Sequence, residues 1–339
     1  MQMQRIDWID HLRGMVIILV TIGHALEGVG CSDNFFKHLI YSFHMPLMFA
    51  VSGYIATYLI VKGKGNLIFT CRDWHFVLRK FNALIIPYLA WGFVVGPFFF
   101  SSYSSDSLDC LGKIAKVFLV NNTGIWFLPC LFGLFVLLFG YGMIRNVLHV
   151  NLYGDALFLC VGFVTTLLLW KVTGSPFLRS IVSYFPPFFL GVFAAQHKKV
   201  DVVMFNSGAV YSCSLLSFCV IVGLFIYRGE PKLIRLLCGL LSIPVAFQVV
   251  SNLRLGPKVS RLLSFIGQNT LLIYIAQSRF LYSFSSLGDV LTIYGGRILP
   301  LIVATALSVI VIAIILLINL FIARSRLFSF VLLGRRWNG

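Results

Sequence analysis

The chain has 339 residues, 59% of them hydrophobic and 11% charged, and its apolar residues fall in runs of about membrane-spanning length from end to end. That composition excludes an ordinary soluble domain, and runs this continuous exclude barrel strands, which alternate inward and outward residues. The formal net charge of +16 does not point to nucleic acid. Its bases gather at the ends of apolar runs, as membrane orientation and anionic headgroups require, and no basic-aromatic nucleic-acid module is found. The expected fold is therefore all-α, a polytopic transmembrane helical bundle.

A window of about 19 residues predicts about ten spans, near 12–29, 39–61, 81–100, 124–143, 153–172, 179–196, 204–227, 233–251, 262–283 and 298–322. With the N-terminus cytoplasmic, the inner connections collect Arg72, Arg79, Lys80, Arg145 and most other bases, and Arg324, Arg326, Arg335 and Arg336 follow the last span. Outer connections carry Glu27, Asp33, Asp106, Asp109, Glu230 and Asp289. Both termini are thus expected inside. The opening lacks a basic n-region and a small-residue cleavage site, so the first span is expected to insert the chain itself. Without an internal repeat or a soluble appendage, residues 1–339 read as a single integral domain.

The first span holds the most informative pair. Arg13 and His24 both lie at membrane depth, where an ionisable residue is costly and ordinarily faces a bundle interior or a wet cavity. Eleven helical residues turn through three whole turns with roughly 20° left over and climb roughly 16 Å, so the two share one stripe at different depths. Asp10 and Glu27 fall near the same stripe, giving the helix a polar seam. Taken singly, Arg13 has a lesser reading as a snorkelling inner anchor and His24 as an interhelical hydrogen bond, and their joint placement counts against both.

The second span carries Phe43-His44-Met45-Pro46-Leu47-Met48 and then Ser52-Gly53-Tyr54. Entering from the outer side, His44 is expected near the depth of His24, either lining the same pocket or lying at the outer interface. Pro46 is expected close to the helix start, where it is tolerated, and Ser52 is expected chiefly as a small packing residue. Lys62-Gly63-Lys64-Gly65-Asn66 lacks the strand and the Gly-Lys-Ser/Thr ending of a phosphate loop and reads as a basic turn. Trp126 follows a polar boundary and suits either an interfacial aromatic belt or stacking on a sugar. Of eight cysteines, Cys130, Cys160, Cys213, Cys219 and Cys238 read as small buried residues. Cys31 and Cys110 fall in outer connections, where pairing stays open. No Cys or His pair has metal-ligand spacing, so no metal is expected.

Together these segments resemble the acyltransferase-3 family of integral membrane enzymes. The resemblance rests on Arg13 with ten intervening residues before His24, the Phe43–Phe49 segment with Ser52-Gly53-Tyr54, and Arg79-Lys80 leading to Ile86-Pro87-Tyr88. Trp126-Phe127-Leu128-Pro129 and Phe265-Ile266-Gly267-Gln268-Asn269-Thr270-Leu271-Leu272-Ile273-Tyr274 extend it over essentially the whole chain. The opening Ile9-Asp10-His11-Leu12-Arg13-Gly14 is most similar to the fucose 4-O-acetylase-like branch. Two positions depart from the pattern. Gln277 stands where members often have His, and Ala83 where a further base is common.

The resemblance implies O-acyl transfer, usually of acetyl from acetyl-CoA, to a hydroxyl of a sugar or lipid-linked glycan, in the lipid setting of a bacterial cytoplasmic membrane. A sugar hydroxyl needs a base with a pKa near neutrality, for which His24 is the natural candidate, with Glu27 as a group to orient it. Direct transfer is favoured over an acetyl-histidine intermediate. Arg13 is expected on the coenzyme side, with Arg72, Arg79 and Lys80 adding phosphate contacts. Asp10, His44, Ser52 and Trp126 complete the supporting set, and acetyl-CoA is a substrate rather than a resident cofactor. The runner-up is a transporter or flippase; the sequence lacks signs of an inverted repeat or of paired broken helices, which counts against it.

Overall fold

Lipid offers no hydrogen-bond partner to backbone N–H and C=O groups, so a long apolar segment closes its bonds internally as a helix. The computed structural model describes residues 7–95, 125–172, 174–228, 232–281 and 298–335, and among the described residues it contains no strand. In chain order the helices are α1 (Asp7–Gly28), α2 (Phe35–Lys64), α3 (His75–Leu89), α4 (Phe127–Leu148), α5 (Leu152–Val172), α6 (Pro176–Gln196) and α7 (Lys198–Asn206). There follow α8 (Gly208–Arg228), α9 (Lys232–Asn252), α10 (Pro257–Gln268), α11 (Thr270–Leu281), α12 (Ile298–Ile322) and α13 (Arg326–Leu333). A 3₁₀ turn, Cys71–Trp74, precedes α3 and a π turn, Ala90–Val95, follows it.

Among the described residues, seven helices are long and apolar enough to cross a membrane, and nine spans result if two bent helix pairs each count as one. The expected span 81–100 runs beyond the described residues. Two expected spans, 204–227 and 262–283, prove to be broken. Lys198–Met204 and Gly208–Leu224 meet at 60°, and Pro257–Gln268 and Thr270–Gln277 at 65°. The expectation of unbroken helices is corrected here, and local polar side chains supply the reason. Ser207 Oγ accepts from Val210 N–H at 3.3 Å, and Asn269 Nδ2 donates to the Phe265 carbonyl at 2.8 Å, each competing with the helical ladder at a break.

The described helices cluster into two compact units. The first comprises Met1–Ile55 and His197–Ile318, the second Ala56–Gln196 and Asn319–Gly339. In the first, α1 packs along α10 and α11, and also touches α9. Along α11 the contacts advance together, Arg13 meeting Thr270, Thr21 meeting Gln277 and Gly28 meeting Leu281, whereas α10 crosses α1 with Asp10 against Gly267 and Gly14 against Leu263. Glycine permits the approach at three points. A Cβ on Gly14 would stand 2.4 Å from the Leu263 carbonyl oxygen, on Gly267 2.0 Å from that of Asp10, and on Gly28 2.2 Å from that of Leu281. Small residues that let backbones meet are the usual means of helix association in lipid.

Pro46 does not sit near the start of its helix as expected. α2 begins earlier, at Phe35, so Pro46 lies inside it, and its ring fills the notch at Gly239 of α9, where a Cβ would fall 2.4 Å from Pro46 Cγ. At the start of α1, Trp8, Tyr54 and Phe247 form a triangle of edge-on rings with centroids 5.4–5.6 Å apart. His11, buried, meets Ser260 Oγ at 2.9 Å. On α12, Ile302, Val309 and Leu317 are 59%, 61% and 58% exposed, an apolar face suited to lipid. Cys160, Cys213 and Cys219 are likewise exposed rather than buried, whereas Cys130 and Cys238 are buried as expected. Cys31 is buried, and Cys110 lies outside the described residues.

In the second unit α3 packs on α4 and α13, and α6 on α4 and α5. Of the expected turn Lys62–Asn66, Lys62 to Lys64 instead form the last turn of α2 and only Gly65, with φ +77°, and Asn66 lie beyond it; Lys64 pairs with Asp73. Arg145 departs from the sequence reading. It is not a loop charge but a residue of α4 that is 5% exposed, forked onto Asp155 of α5 through Nε at 2.8 Å and Nη2 at 2.8 Å. Tyr141 donates to the same carboxylate, and Arg145 Nη1 reaches Asn66 Oδ1 at 2.6 Å.

Two outcomes follow for stability. Gly267→Ala drives a methyl into backbone that cannot give way and is expected to cost about 1–3 kcal/mol, whereas Gly140→Ala, facing open space, is near neutral; thermal unfolding in detergent compares them. Asp155→Ala leaves a buried guanidinium uncompensated and is expected to cost about 3–5 kcal/mol, while Arg145→Met with Asp155→Leu recovers most of that loss in the same assay.

Candidate functional site

On α1 the polar residues Asp10, Arg13, Thr21, His24 and Glu27 are spaced by three, eight, three and three residues, which holds them to one stripe. Each finds partners within the first unit. At the lower end Arg13 Nη2 donates to Thr270 Oγ1 at 2.7 Å, and Nη1 lies 3.8 Å from Asp10 Oδ1. Thr270 is the first residue of α11, so the break after Gln268 is what delivers its hydroxyl to the guanidinium. Arg13 keeps 31% of its side-chain surface exposed. A partly exposed guanidinium fork is a group that pairs with phosphate or carboxylate oxygens.

Midway, Thr21 and Gln277 are both fully buried and hydrogen-bonded to one another. The upper end is a chain of four side chains. Tyr41 Oη donates to Glu27 Oε2 at 2.9 Å and lies 3.1 Å from His24 Nδ1. Lys37 Nζ is 3.1 Å from the other oxygen, Glu27 Oε1, and also stands over the Tyr41 ring at 5.2 Å. His24 Nδ1 itself is 3.5 Å from Glu27 Oε2.

The chain of donors sets the histidine tautomer. Tyr41 has one proton, and giving it to Glu27 leaves the phenolic oxygen to accept from His24 Nδ1–H. Nε2 then carries the lone pair, and any positive charge formed on the ring faces Tyr41 backed by a carboxylate. His24 is half-buried, so its ring is both held and reachable. His44, 3% exposed, packs against the Tyr41 ring at 4.9 Å and places Nδ1 2.8 Å from its own helix carbonyl, Ile40 O. It therefore supports Tyr41 from behind.

The remaining candidates separate by unit. Asp10, Arg13, His24, Glu27, His44 and Ser52 belong to the first, and Arg72, Arg79, Lys80 and Trp126 to the second. Ser52 donates to the Met48 carbonyl at 2.8 Å, the bond of a packing residue within its own helix. Arg72 and Arg79 are exposed. Lys80 is half-buried, with its ammonium 3.9 Å from the Phe135 ring centroid. Trp126 stacks on Tyr184, centroids 5.3 Å apart and planes at 25°. Sequence reasoning missed Tyr41, Lys37, Thr270 and Thr21. A signal existed for two of them: Lys37, Tyr41 and His44 recur at four and three residues, one polar face at the start of α2.

A family model described as an acyltransferase domain matches residues 6–320. The nodulation protein NolL of Sinorhizobium fredii (strain NBRC 101917 / NGR234) is 26% identical over 216 residues, which cover 60% of this chain and 53% of NolL. The chain thus spans about half the length of the curated relative it matches. No solved structure matches significantly.

Proposed function

The chain belongs to the acyltransferase-3 family of integral membrane enzymes, and from that premise we propose that it carries acetyl from cytoplasmic acetyl-CoA to a hydroxyl of a sugar in a lipid-linked or cell-envelope glycan. One observation carries the proposal: α1 presents a forked cation at one end of its polar stripe and, at the other, a histidine whose tautomer is set by Tyr41, Glu27 and Lys37. The bacterial relative supports a bacterial cytoplasmic membrane as the setting.

In this reading the acceptor hydroxyl hydrogen-bonds His24 Nε2. As its oxygen attacks the thioester carbonyl carbon, the proton passes to Nε2, and the imidazolium is stabilised by Tyr41 and Glu27. Collapse of the tetrahedral intermediate breaks the carbon–sulphur bond. The thiolate leaves, His24 returns the proton to it, and the products are an O-acetyl ester and free coenzyme. Direct general-base transfer is preferred here to an acetyl-histidine intermediate, which trapping of labelled acetyl on the protein in the absence of acceptor would reveal.

Arg13 takes the phosphate side of the donor. Its Cα lies roughly 16 Å below that of His24 along the helix, comparable with the extended pantetheine arm. A guanidinium fork matches phosphate oxygens in pairs, and Thr270 and Asp10 hold it in place.

His24→Ala is expected to lower acetyl transfer by about 10²–10⁴-fold, measured as loss of the one-acetyl mass gain on envelope glycans of cells expressing folded protein. Tyr41→Phe is expected to lower kcat by about tenfold with little change in KM for acetyl-CoA, and Arg13→Lys to act mainly on that KM. A folded His24→Ala enzyme that still transfers acetyl would sink the proposal.

A further inference from the structure

Gln277 is 0% exposed, and its amide is only half used. Thr21 has a single hydroxyl proton but two acceptors in reach, the Ile17 carbonyl at 2.8 Å and Gln277 Oε1. If the proton goes to Gln277, the amide nitrogen is left without a partner. If it goes to Ile17, the amide turns over and donates to the Thr21 oxygen, and the unmet edge is then the carbonyl. In both arrangements a buried amide keeps hydrogen-bonding capacity that no group among the described residues meets. Such a group is rare in native interiors, and a ligand is one of the few things that explains it.

Its place along the stripe says which part of a ligand it meets. Thr21 lies eight residues beyond Arg13 and three before His24, hence about 12 Å above the first and about 4.5 Å below the second along the axis. The donor proposed above has two amides in its pantetheine arm, and only an ethylene link separates the nearer amide nitrogen from the thioester sulphur. With the acetyl carbonyl at His24 and the phosphates toward Arg13, that amide comes to the level of Thr21 and Gln277. A primary amide meets a secondary one through either edge, N–H to C=O or the reverse, so the match holds whichever way Gln277 is turned.

We infer that Gln277 positions the acyl donor by hydrogen-bonding the pantetheine amide nearest the thioester, an inference that rests on acetyl-CoA being the donor. It touches the donor away from the reacting atoms and is a positioning residue. The Thr21 hydroxyl orients it, and its depth in the α1–α11 contact excludes water that would otherwise compete.

The test uses the full-length protein in detergent and the binding of two probes: acetyl-CoA, and an analogue in which that one amide is replaced by two methylenes. Wild type is expected to bind acetyl-CoA about tenfold more tightly than the analogue, and Gln277→Leu to bind both with the weaker affinity. The thermal midpoint of unliganded Gln277→Leu is expected to equal or exceed that of wild type, because leucine removes an unmet polar edge. Gln277→Met, closer in shape, gives the same reading if leucine impairs folding. A variant that keeps the wild-type preference, or that loses stability without losing the preference, overturns the inference while leaving the donor reading standing. Failure of wild type to bind acetyl-CoA overturns both.

Discussion

The polar groups on the stripe of α1 have to find partners within the protein or on a bound molecule, because lipid offers none. That constraint organises the first unit. Arg13 draws Thr270 from α11, Thr21 draws Gln277 from the same helix, and His24 and Glu27 draw Tyr41 and Lys37 from α2. Close approach is the condition for all of it, and Gly14, Gly28 and Gly267 supply the approach by leaving room for carbonyl oxygens that a Cβ would displace. The bend between α10 and α11 is part of the same solution. A straight helix would carry Asn269 and Thr270 past Arg13 in a continuous ladder, whereas the break frees the Thr270 hydroxyl to meet the guanidinium.

Much of this was legible in the residues, and the part that was not has a physical reason. Arg13 and His24 announce themselves because ionisable groups inside an apolar span are costly, and their separation in sequence translates directly into depth through the helix rise. Asp10 and Glu27 follow by the same periodicity. Tyr41 and Thr270 did not stand out, since tyrosine near a membrane surface and threonine within an apolar helix are ordinary, and only tertiary packing reveals which hydroxyl meets which charge. Gln277 was visible as a departure from the family pattern, yet its buried, half-satisfied amide is a property of the folded chain. Arg145 was misread for a related reason. Counting bases to orient a membrane protein treats each as solvated, and nothing local distinguishes a base at a span end from one forked onto a carboxylate across a helix pair.

The two units put buried charge to different uses. Arg145 and Asp155 are each about 5% exposed, doubly bonded and further tied to Tyr141 and Asn66, a network with its donors and acceptors matched, suited to fixing α4 against α5. Arg13 and His24 are only half-buried. In the proposed reading the stripe of α1 is the working surface of this membrane acyltransferase.

The central claim is that the reactive end of the acyl donor arrives at His24. Bromoacetyl-CoA carries an alkylating carbon where acetyl-CoA carries its methyl group, and peptide mass spectrometry of the treated full-length enzyme locates the atom it meets. The account predicts modification of His24, suppressed by excess acetyl-CoA and slowed by Arg13→Lys. Stoichiometric inactivation with His24 unmodified and another residue alkylated would contradict it.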